Sequence, residues 1–365
     1  MIPIYIPYLD KYKNSALMAI STNWISNYGI FVKNSEEKLK SILNVKHCIL
    51  MNDGTAATHC LLLALKYKHP NIKKIYVPNN VFIAPWNCVL MEYQKENIEV
   101  MKTNSETLNI DTSEEYIKSL EKDSAMLIVH NLGNIVNVPR LKRIRPDIIF
   151  VEDNCEGNFG KYEDIYSGTS ADSLCSAVSF YANKTLTTGE GGAFFTNDDN
   201  TYEYIKSIYS HGMTNKRYIH NKVAYNYRMT NVQAGFLYDQ LNDLDHILTL
   251  KENLFKNYYK LFKKNIDGGQ IVKINSEENT VSANWMYSII IPDLNFKHME
   301  NYMNEKMIQI RPLFYDIRKH DHLKDINIDY SEIINNGVML PSYPGLKQEH
   351  QEYIFNCLNE YLLIK

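Results

Sequence analysis

The sequence predicts an α/β fold: a mostly parallel central sheet with helices on both faces, followed by a small C-terminal α+β domain. Three observations predict it. Between about residues 47 and 200, short β-branched runs alternate with segments of helical period, the pattern of strand–helix–strand units that build parallel sheets. From Phe236 to Asp267 the chain has neither Gly nor Pro, and its apolar residues recur near helical spacing. After Gly268-Gly269 the pattern resets into short strands and helices.

Taken in order, strands are expected at Cys48–Met51, Lys74–Val77, Ile98–Met101, Ala125–Val129, Ile148–Val151, Ala177–Tyr181 and Ala193–Thr196. Between the first two, Ala56–Tyr67 places Ala57, Leu61, Ala64 and Leu65 on one helical face. Leu237, Leu241, Leu244, Leu248, Phe255, Tyr258, Tyr259 and Phe262 argue for one long or bent helix leading out of the first domain. Further strands are expected near Trp285–Ile291 and Gln309–Leu313, with helices near Lys297–Met307 and Gln348–Leu363. The expected division is a large domain over 1–240 and a linking helix with a small domain over 241–365, the sort of split a chain of 365 residues calls for.

Composition narrows the function. Apolar residues make up 45% and charged residues 22%, with a net charge of −3, so the chain is globular and presents no basic footprint for nucleic acid or a membrane surface. The apolar run at the N-terminus is too short for a signal peptide, and no stretch is long enough to span a bilayer. The six cysteines are scattered without a CxxC pair, which fits buried thiols in a reducing cytoplasm.

The unusual residues gather where strands end. Asn52-Asp53-Gly54-Thr55, Pro78-Asn-Asn-Val-Phe82, His130-Asn131, Glu152-Asp153-Asn154 and Ala182-Asn183-Lys184 each follow an expected strand. In a parallel sheet these five groups share one rim, where ligands bind. Gly54-Thr55 reads either as a plain turn and cap or as a cradle in which free N–H groups of Gly54, Thr55 and Ala56 hold a phosphate. There is no GxxxxGK[ST] and no GxGxxG, so neither a P-loop nor a dinucleotide fingerprint is present. Lys184 sits between apolar strands and ahead of a glycine-rich turn; partial desolvation there would lower its pKa and make it a competent Schiff-base nucleophile. A Schiff-base lysine, a carboxylate to pair with a pyridine nitrogen and a helix N-terminus for phosphate together suit pyridoxal 5′-phosphate.

At these residues the sequence resembles the DegT/DnrJ/EryC1/StrS sugar aminotransferases, within fold-type I of the pyridoxal-phosphate enzymes. The motifs that carry the resemblance run in order from Trp24-Ile-Ser-Asn-Tyr-Gly29 through Gly54-Thr-Ala56, Val77-Pro-x-x-x-Phe82, Val129-His130 with Gly133, and Val151-Glu-Asp153. They continue with Ser179-Phe-Tyr-Ala-Asn-Lys184, Thr187-Thr-Gly-Glu-Gly-Gly192, and Asn226-Tyr-Arg-Met229 with Gln233-Ala234. The resemblance implies that Lys184 holds the cofactor and shuttles the proton, that Asp153 pairs with the pyridinium nitrogen, and that Phe82 stacks on the ring. Glu156, where many relatives have Gln, would contact the ring's phenolic oxygen. Gly54, Thr55, Ala56 and Ser179 would hold the phosphate, which Asn226 would reach from a neighbouring subunit of a homodimer with shared sites. Trp24, Tyr28, Tyr181, Arg228, Arg311 and Tyr315 are the implied sugar-side residues, and Arg318 is a candidate for the diphosphate.

The motifs around Lys184 and Arg311-Pro-Leu-Phe-Tyr315 resemble the branch that makes perosamine or viosamine. That branch transfers an amino group, through the pyridoxamine form of the cofactor, from glutamate to C4 of a nucleotide-linked 4-keto-6-deoxyhexose. Overall likeness favours a uridine- or thymidine-diphosphate 4-keto-6-deoxyglucose. Three departures stand out: Asp53 where relatives carry Ser or Asn, Leu132 in place of a common Tyr, and Asp316-Ile317-Arg318 where relatives read Pro-Leu-His. The competing readings are a sugar dehydratase of the same family, whose best-known members replace the lysine with histidine, and a non-catalytic sensor, which the presence of Lys184 and Asp153 opposes. His320 and His322 form a pair without a clustered third ligand, so no metal site is expected.

Overall fold

The computed structural model describes residues 1–328 and 336–364. A seven-stranded sheet lies at its centre. In chain order its strands are His47–Met51, Lys74–Pro78, Ile98–Met101, Ser124–Val129, Ile149–Asp153, Ser173–Ser179 and Gly192–Thr196. Across the sheet they run first, seventh, sixth, fifth, fourth, second, third. The seventh strand is antiparallel to both its neighbours, and every other pairing is parallel. Six strands therefore point the same way, and their carboxyl ends share one rim.

The strands lie close to where β-branched runs place them, with one shift. The sixth begins at Ser173 and stops at Ser179, short of the expected Tyr181. Phe180 N–H bonds the Gly191 carbonyl, and Thr188 N–H bonds the Phe180 carbonyl. Those bonds draw residues 180–191 into a closed loop instead of a longer strand.

Helix Gly54–Lys68 is buried at every position from Ala56 to Leu65. It is sandwiched between the sheet and the helices Ile83–Glu92 and Asp199–Ile208, which is why its apolar residues wrap all round instead of forming one stripe. The remaining surface of the sheet is covered by two further apolar clusters. One centres on Met126, Ile128 and Phe150; the other joins Val178 and Phe195 to the helices Ile30–Leu43 and Asn231–Asn242.

The single long helix expected across Phe236–Asp267 is two helices, Asn231–Asn242 and Leu244–Asp267. Asp243 breaks it with φ −127° and ψ 30°, and its carboxylate accepts the Tyr12 hydroxyl at 2.7 Å. The first of the two contains Gly235, where a Cβ would lie 2.5 Å from the Ala16 backbone nitrogen. Only glycine lets helix Asn14–Ser21 lie this close.

Beyond Asp267 a four-stranded sheet, ordered Val272–Lys273, Ser288–Ile290, Gly337–Met339, Arg311–Pro312, is fully antiparallel. Helices Leu244–Asp267, Phe296–Glu305 and Gln348–Ile364 share its core through Tyr258, Met299 and Leu358. Among the described residues no helix is long and apolar enough to cross a membrane.

The outermost strand, His47–Met51, has the Leu50 N–H capped by Glu36 at 2.9 Å, which blunts an otherwise open sheet edge. Burial pushes the Glu36 carboxyl up to about 7 from 4.5. The native chain thus keeps this proton up to about pH 7, while the unfolded chain releases it near 4.5. The stability it confers is complete below the lower value and is lost as pH rises through the upper one. Glu36→Gln is expected to flatten that decline, by about 3 kcal/mol across the interval. Thermal melts between pH 5 and 8 measure it, and a variant with the wild-type slope would refute the assignment.

Candidate active site

A cavity of about 1080 Å³ opens at the carboxyl rim of the central sheet, and residues 285–286, 311–315 and 339 also line it. Four of the five sequence groups that follow strands contribute to its lining. The exception is His130-Asn131. His130 is fully buried; its Nδ1 accepts the Val136 N–H at 3.1 Å and its Nε2 lies 2.9 Å from Glu152 Oε2. That pair belongs to the scaffold beneath the site.

Asp153 is the last residue of the fifth strand and is 3% exposed. One carboxylate oxygen accepts the Thr58 hydroxyl at 2.9 Å, the other the Cys155 N–H at 3.0 Å. Thr58 lies four residues beyond Gly54, one turn along the same helix, so a helix and a strand end jointly fix the carboxylate. Thr58 escaped the sequence reading, although i, i+4 spacing from Gly54 places it on the cavity side.

At the start of helix Gly54–Lys68 the expectation of three free N–H groups needs correction. Asp53 caps the helix, and its Oδ1 accepts the Ala56 N–H at 2.7 Å. The capping carboxylate engages one of the three amides. Thr55 is exposed toward the cavity. Gly54 packs against Ser179: a Cβ on Gly54 would lie 2.6 Å from the Ser179 Cβ, so the helix start and the end of the sixth strand meet only because this residue has no side chain.

Lys184 stands in the 180–191 loop. Gln240 holds that loop by bonding both the N–H and the carbonyl of Thr187, at 2.9 and 2.7 Å. Two residues from outside the central sheet grip the peptide of the lysine itself. Tyr5 OH donates to the Lys184 carbonyl and the Trp285 indole to the Asn183 carbonyl, each at 2.9 Å. Lys184 Nζ lies 3.8 Å from Glu156 Oε1 and 4.0 Å from the centre of the Trp285 ring. A carboxylate and an aromatic face thus flank the amine, and both attract a cation.

Glu156 is buried, and its other oxygen accepts the Leu132 N–H at 2.7 Å. Leu132 makes that bond from a left-handed conformation, φ 58°. Burial pushes the Glu156 carboxyl up to about 7, against the opposing pull of the Lys184 charge.

Phe82 projects into the cavity, 52% exposed, and meets Phe314 edge-on at 5.8 Å. Phe314 in turn lies parallel to Trp285 at 6.5 Å. Trp285 was expected within a strand; the strand is Ser288–Ile290, and the tryptophan stands ahead of it, facing the lysine. Nothing in its local sequence marks that position. Tyr181, Arg311, Tyr315 and His320 line the outer part. Among the described residues no group of three His, Cys, Asp or Glu side chains forms a metal site.

Five expected residues lie outside this cavity. Arg318 turns back on Asp316, its Nε and Nη2 bonded to the carboxylate at 2.7 and 2.8 Å, because a buried carboxylate two residues away captures the guanidinium. Trp24 and Tyr28 are exposed, at 62% and 75%. Asn226 and Arg228 bond to each other at 2.9 Å on the surface, with Arg228 also reaching His211 at 3.1 Å.

The profile of the DegT/DnrJ/EryC1/StrS aminotransferase family matches residues 8–359. A GDP-perosamine synthase of Escherichia coli O157:H7 is 30% identical over 376 residues, covering 99% of this chain and 98% of the relative. Among solved structures, an E. coli GDP-4-keto-6-deoxy-D-mannose-3-dehydratase with bound hydrated PLP superposes with a TM-score of 0.87 at 22% identity, covering 98% of this chain and 99% of that one. PseC of Helicobacter pylori, an aminotransferase of pseudaminic acid biosynthesis, gives 0.86 at 21%, covering 99% and 98%. At these identities the two structures show a shared fold.

Proposed function

The chain belongs to the DegT/DnrJ/EryC1/StrS aminotransferase family, and from that premise we propose that it transfers an amino group from glutamate to C4 of a nucleotide-linked 4-keto-6-deoxyhexose, giving a perosamine- or viosamine-type product. It is a pyridoxal-phosphate-dependent sugar aminotransferase.

The residues present suit the cofactor. Asp153 offers a fixed carboxylate, the start of helix Gly54–Lys68 offers unsatisfied amides, and Lys184 offers an amine in the same cavity. Bound there, pyridoxal phosphate supplies an electron sink for the carbon that loses a proton. Lys184 Nζ would hold the cofactor covalently and, once released, would carry a proton to and from the reacting carbon. Asp153 would keep a proton on the ring nitrogen by charge. Glu156 would contact the ring's phenolic oxygen, and Phe82 would cover the ring. Gly54, Thr55, Ala56 and Ser179 would seat the phosphate. Asp53 already holds the Ala56 amide, so this subsite is less positive than a Ser or Asn cap would leave it.

Trp24, Tyr28, Asn226 and Arg228 serve the cavity of a second copy in a homodimer. Leu17, Met18, Ile20, Trp24, Ile25, Tyr28 and Ile30 are all exposed, apolar surface that a second copy would cover. Tyr181, Arg311 and Tyr315 face the sugar nucleotide. Arg318 is held by Asp316.

The observation that carries the reading is that Lys184 and Asp153 line one cavity at the carboxyl rim. Adding glutamate to the yellow enzyme should bleach it to the pyridoxamine form with one 2-oxoglutarate released per site. Adding a keto sugar should restore the colour. Because a full-length relative is named for GDP-perosamine, GDP-4-keto-6-deoxymannose is the first sugar to try, with the uridine- and thymidine-linked 4-keto-6-deoxyglucoses beside it. A bleached enzyme that no 4-keto sugar restores would refute the C4 assignment; failure to bleach with any common amino donor would refute transamination.

A further inference from the structure

Lys251 is a buried amine with no part in the chemistry above. It lies in the middle of helix Leu244–Asp267 and is 1% exposed. Its Nζ donates to the Trp285 carbonyl at 2.8 Å and also to the Ser342 carbonyl. The rings of Tyr5 and Phe255 flank it, with centres 5.6 and 5.5 Å away. Burial alone acts on this amine, pushing it down to about 7. A methionine would fill the same slot without taking an amine out of water, so the fold by itself gains little from a lysine here.

Its partners lead to the reacting amine. The residue whose carbonyl Lys251 holds is the one whose ring lies 4.0 Å from Lys184 Nζ and whose indole N–H binds the Asn183 carbonyl. Tyr5, packed beside Lys251, donates to the Lys184 carbonyl. Ser342, the second carbonyl partner, also accepts the Tyr287 N–H through its hydroxyl at 2.9 Å. One amine on a small-domain helix thus ties together the segments 285–287 and 342, from which the indole reaches across to the loop of Lys184.

We propose that Lys251 is a positioning residue for Lys184: by clamping the Trp285 and Ser342 carbonyls it fixes the aromatic plate against which the Lys184 amine rests and the peptide that carries that amine. This rests on the reading of Lys184 as the point of cofactor attachment. The indole can then neither tilt away nor swing into the cavity, and the amine meets an incoming carbonyl from one direction.

The test mixes cofactor-free protein with pyridoxal phosphate and follows covalent attachment by absorbance, with borohydride trapping and peptide mass mapping at the end point. Lys251→Met is expected to attach about ten-fold more slowly and to shift the absorption maximum of the bound cofactor, while melting at or above the wild-type temperature. Lys251→Gln, which keeps a donor for one carbonyl, should fall between. Because the effect runs through the indole, combining Lys251→Met with Trp285→Phe should cost no more than the larger single change. Wild-type attachment rate and spectrum in both Lys251 variants would overturn the proposal, and losses that multiply in the double variant would overturn the route through Trp285. The two readings fail separately. If the wild-type protein gives no trapped adduct at Lys184, the functional assignment falls; if the adduct forms and Lys251→Met leaves its kinetics unchanged, only the positioning role does.

Discussion

Lys184→Ala should lower turnover by about 10⁴-fold while leaving a folded protein that still binds pyridoxal phosphate without covalent attachment. The alanine would remove both functions proposed for this amine, attachment of the cofactor and movement of the proton. It also strips Glu156 of the cation 3.8 Å away; that carboxyl, already pushed up to about 7, then keeps its proton, so the core carries no stranded charge. A rival amine exists in Lys251, whose affinity for its proton burial depresses. By that depression alone Lys251 would pass for a nucleophile. Geometry decides otherwise: Lys184 lines the cavity, whereas the Lys251 amine faces two carbonyls and does not. Borohydride trapping in the wild-type enzyme, mapped by peptide mass, distinguishes them. A label on Lys251, or an alanine variant within about ten-fold of wild type, would overturn the assignment.

Asp153→Asn is the second large effect, expected to cut turnover by about 10²–10³-fold with little change in melting temperature. The carboxylate receives two donors from the protein, Thr58 and Cys155 N–H. An asparagine can keep its oxygen toward Cys155 and turn its amide toward Thr58, whose hydroxyl can accept instead of donate, so the fold survives. The negative charge is lost, and with it the attraction that keeps a proton on a pyridine nitrogen. The ring then withdraws electrons less strongly from the carbon being deprotonated. The measurement is the rate of the glutamate half-reaction alongside the dissociation constant of the cofactor. A variant that keeps more than a tenth of the wild-type rate would show that the carboxylate serves only to shape the wall.

The chemical end of the site was legible because it sits where elements change. Asp153 and Ser179 are strand ends and Gly54 opens a helix, positions that periodicity alone locates within a residue or two. What remained hidden depended on partners far along the chain or close at hand in an unforeseen way. Trp285 comes from beyond the linking helix, and no pattern around it announces that its ring will face Lys184. Asp53 takes the Ala56 amide, and Asp316 takes Arg318; in both cases a carboxylate two or three residues away competed for a group that had been reserved for a ligand. Trp24, Tyr28, Asn226 and Arg228 are a different case: all four lie outside the cavity of this chain, and nothing in the motifs that contain them reports that distance. The break at Asp243 was missed because no Gly or Pro marks it, and a tyrosine hydroxyl from the N-terminal segment helps to hold it.

The order of strands in the central sheet governs how this protein is made. His47–Met51, the first strand of that sheet to leave the ribosome, has Gly192–Thr196, the last, as its neighbour in the sheet, with His47 opposite Thr196. Synthesis at about 5–20 residues per second leaves the early segment without its neighbour for many seconds. Over that time an apolar ribbon of Cys48, Ile49, Leu50 and Met51 stands open to chaperones and to other nascent chains. Yield in a cell is therefore set in part by how that ribbon is shielded until its distant mate emerges.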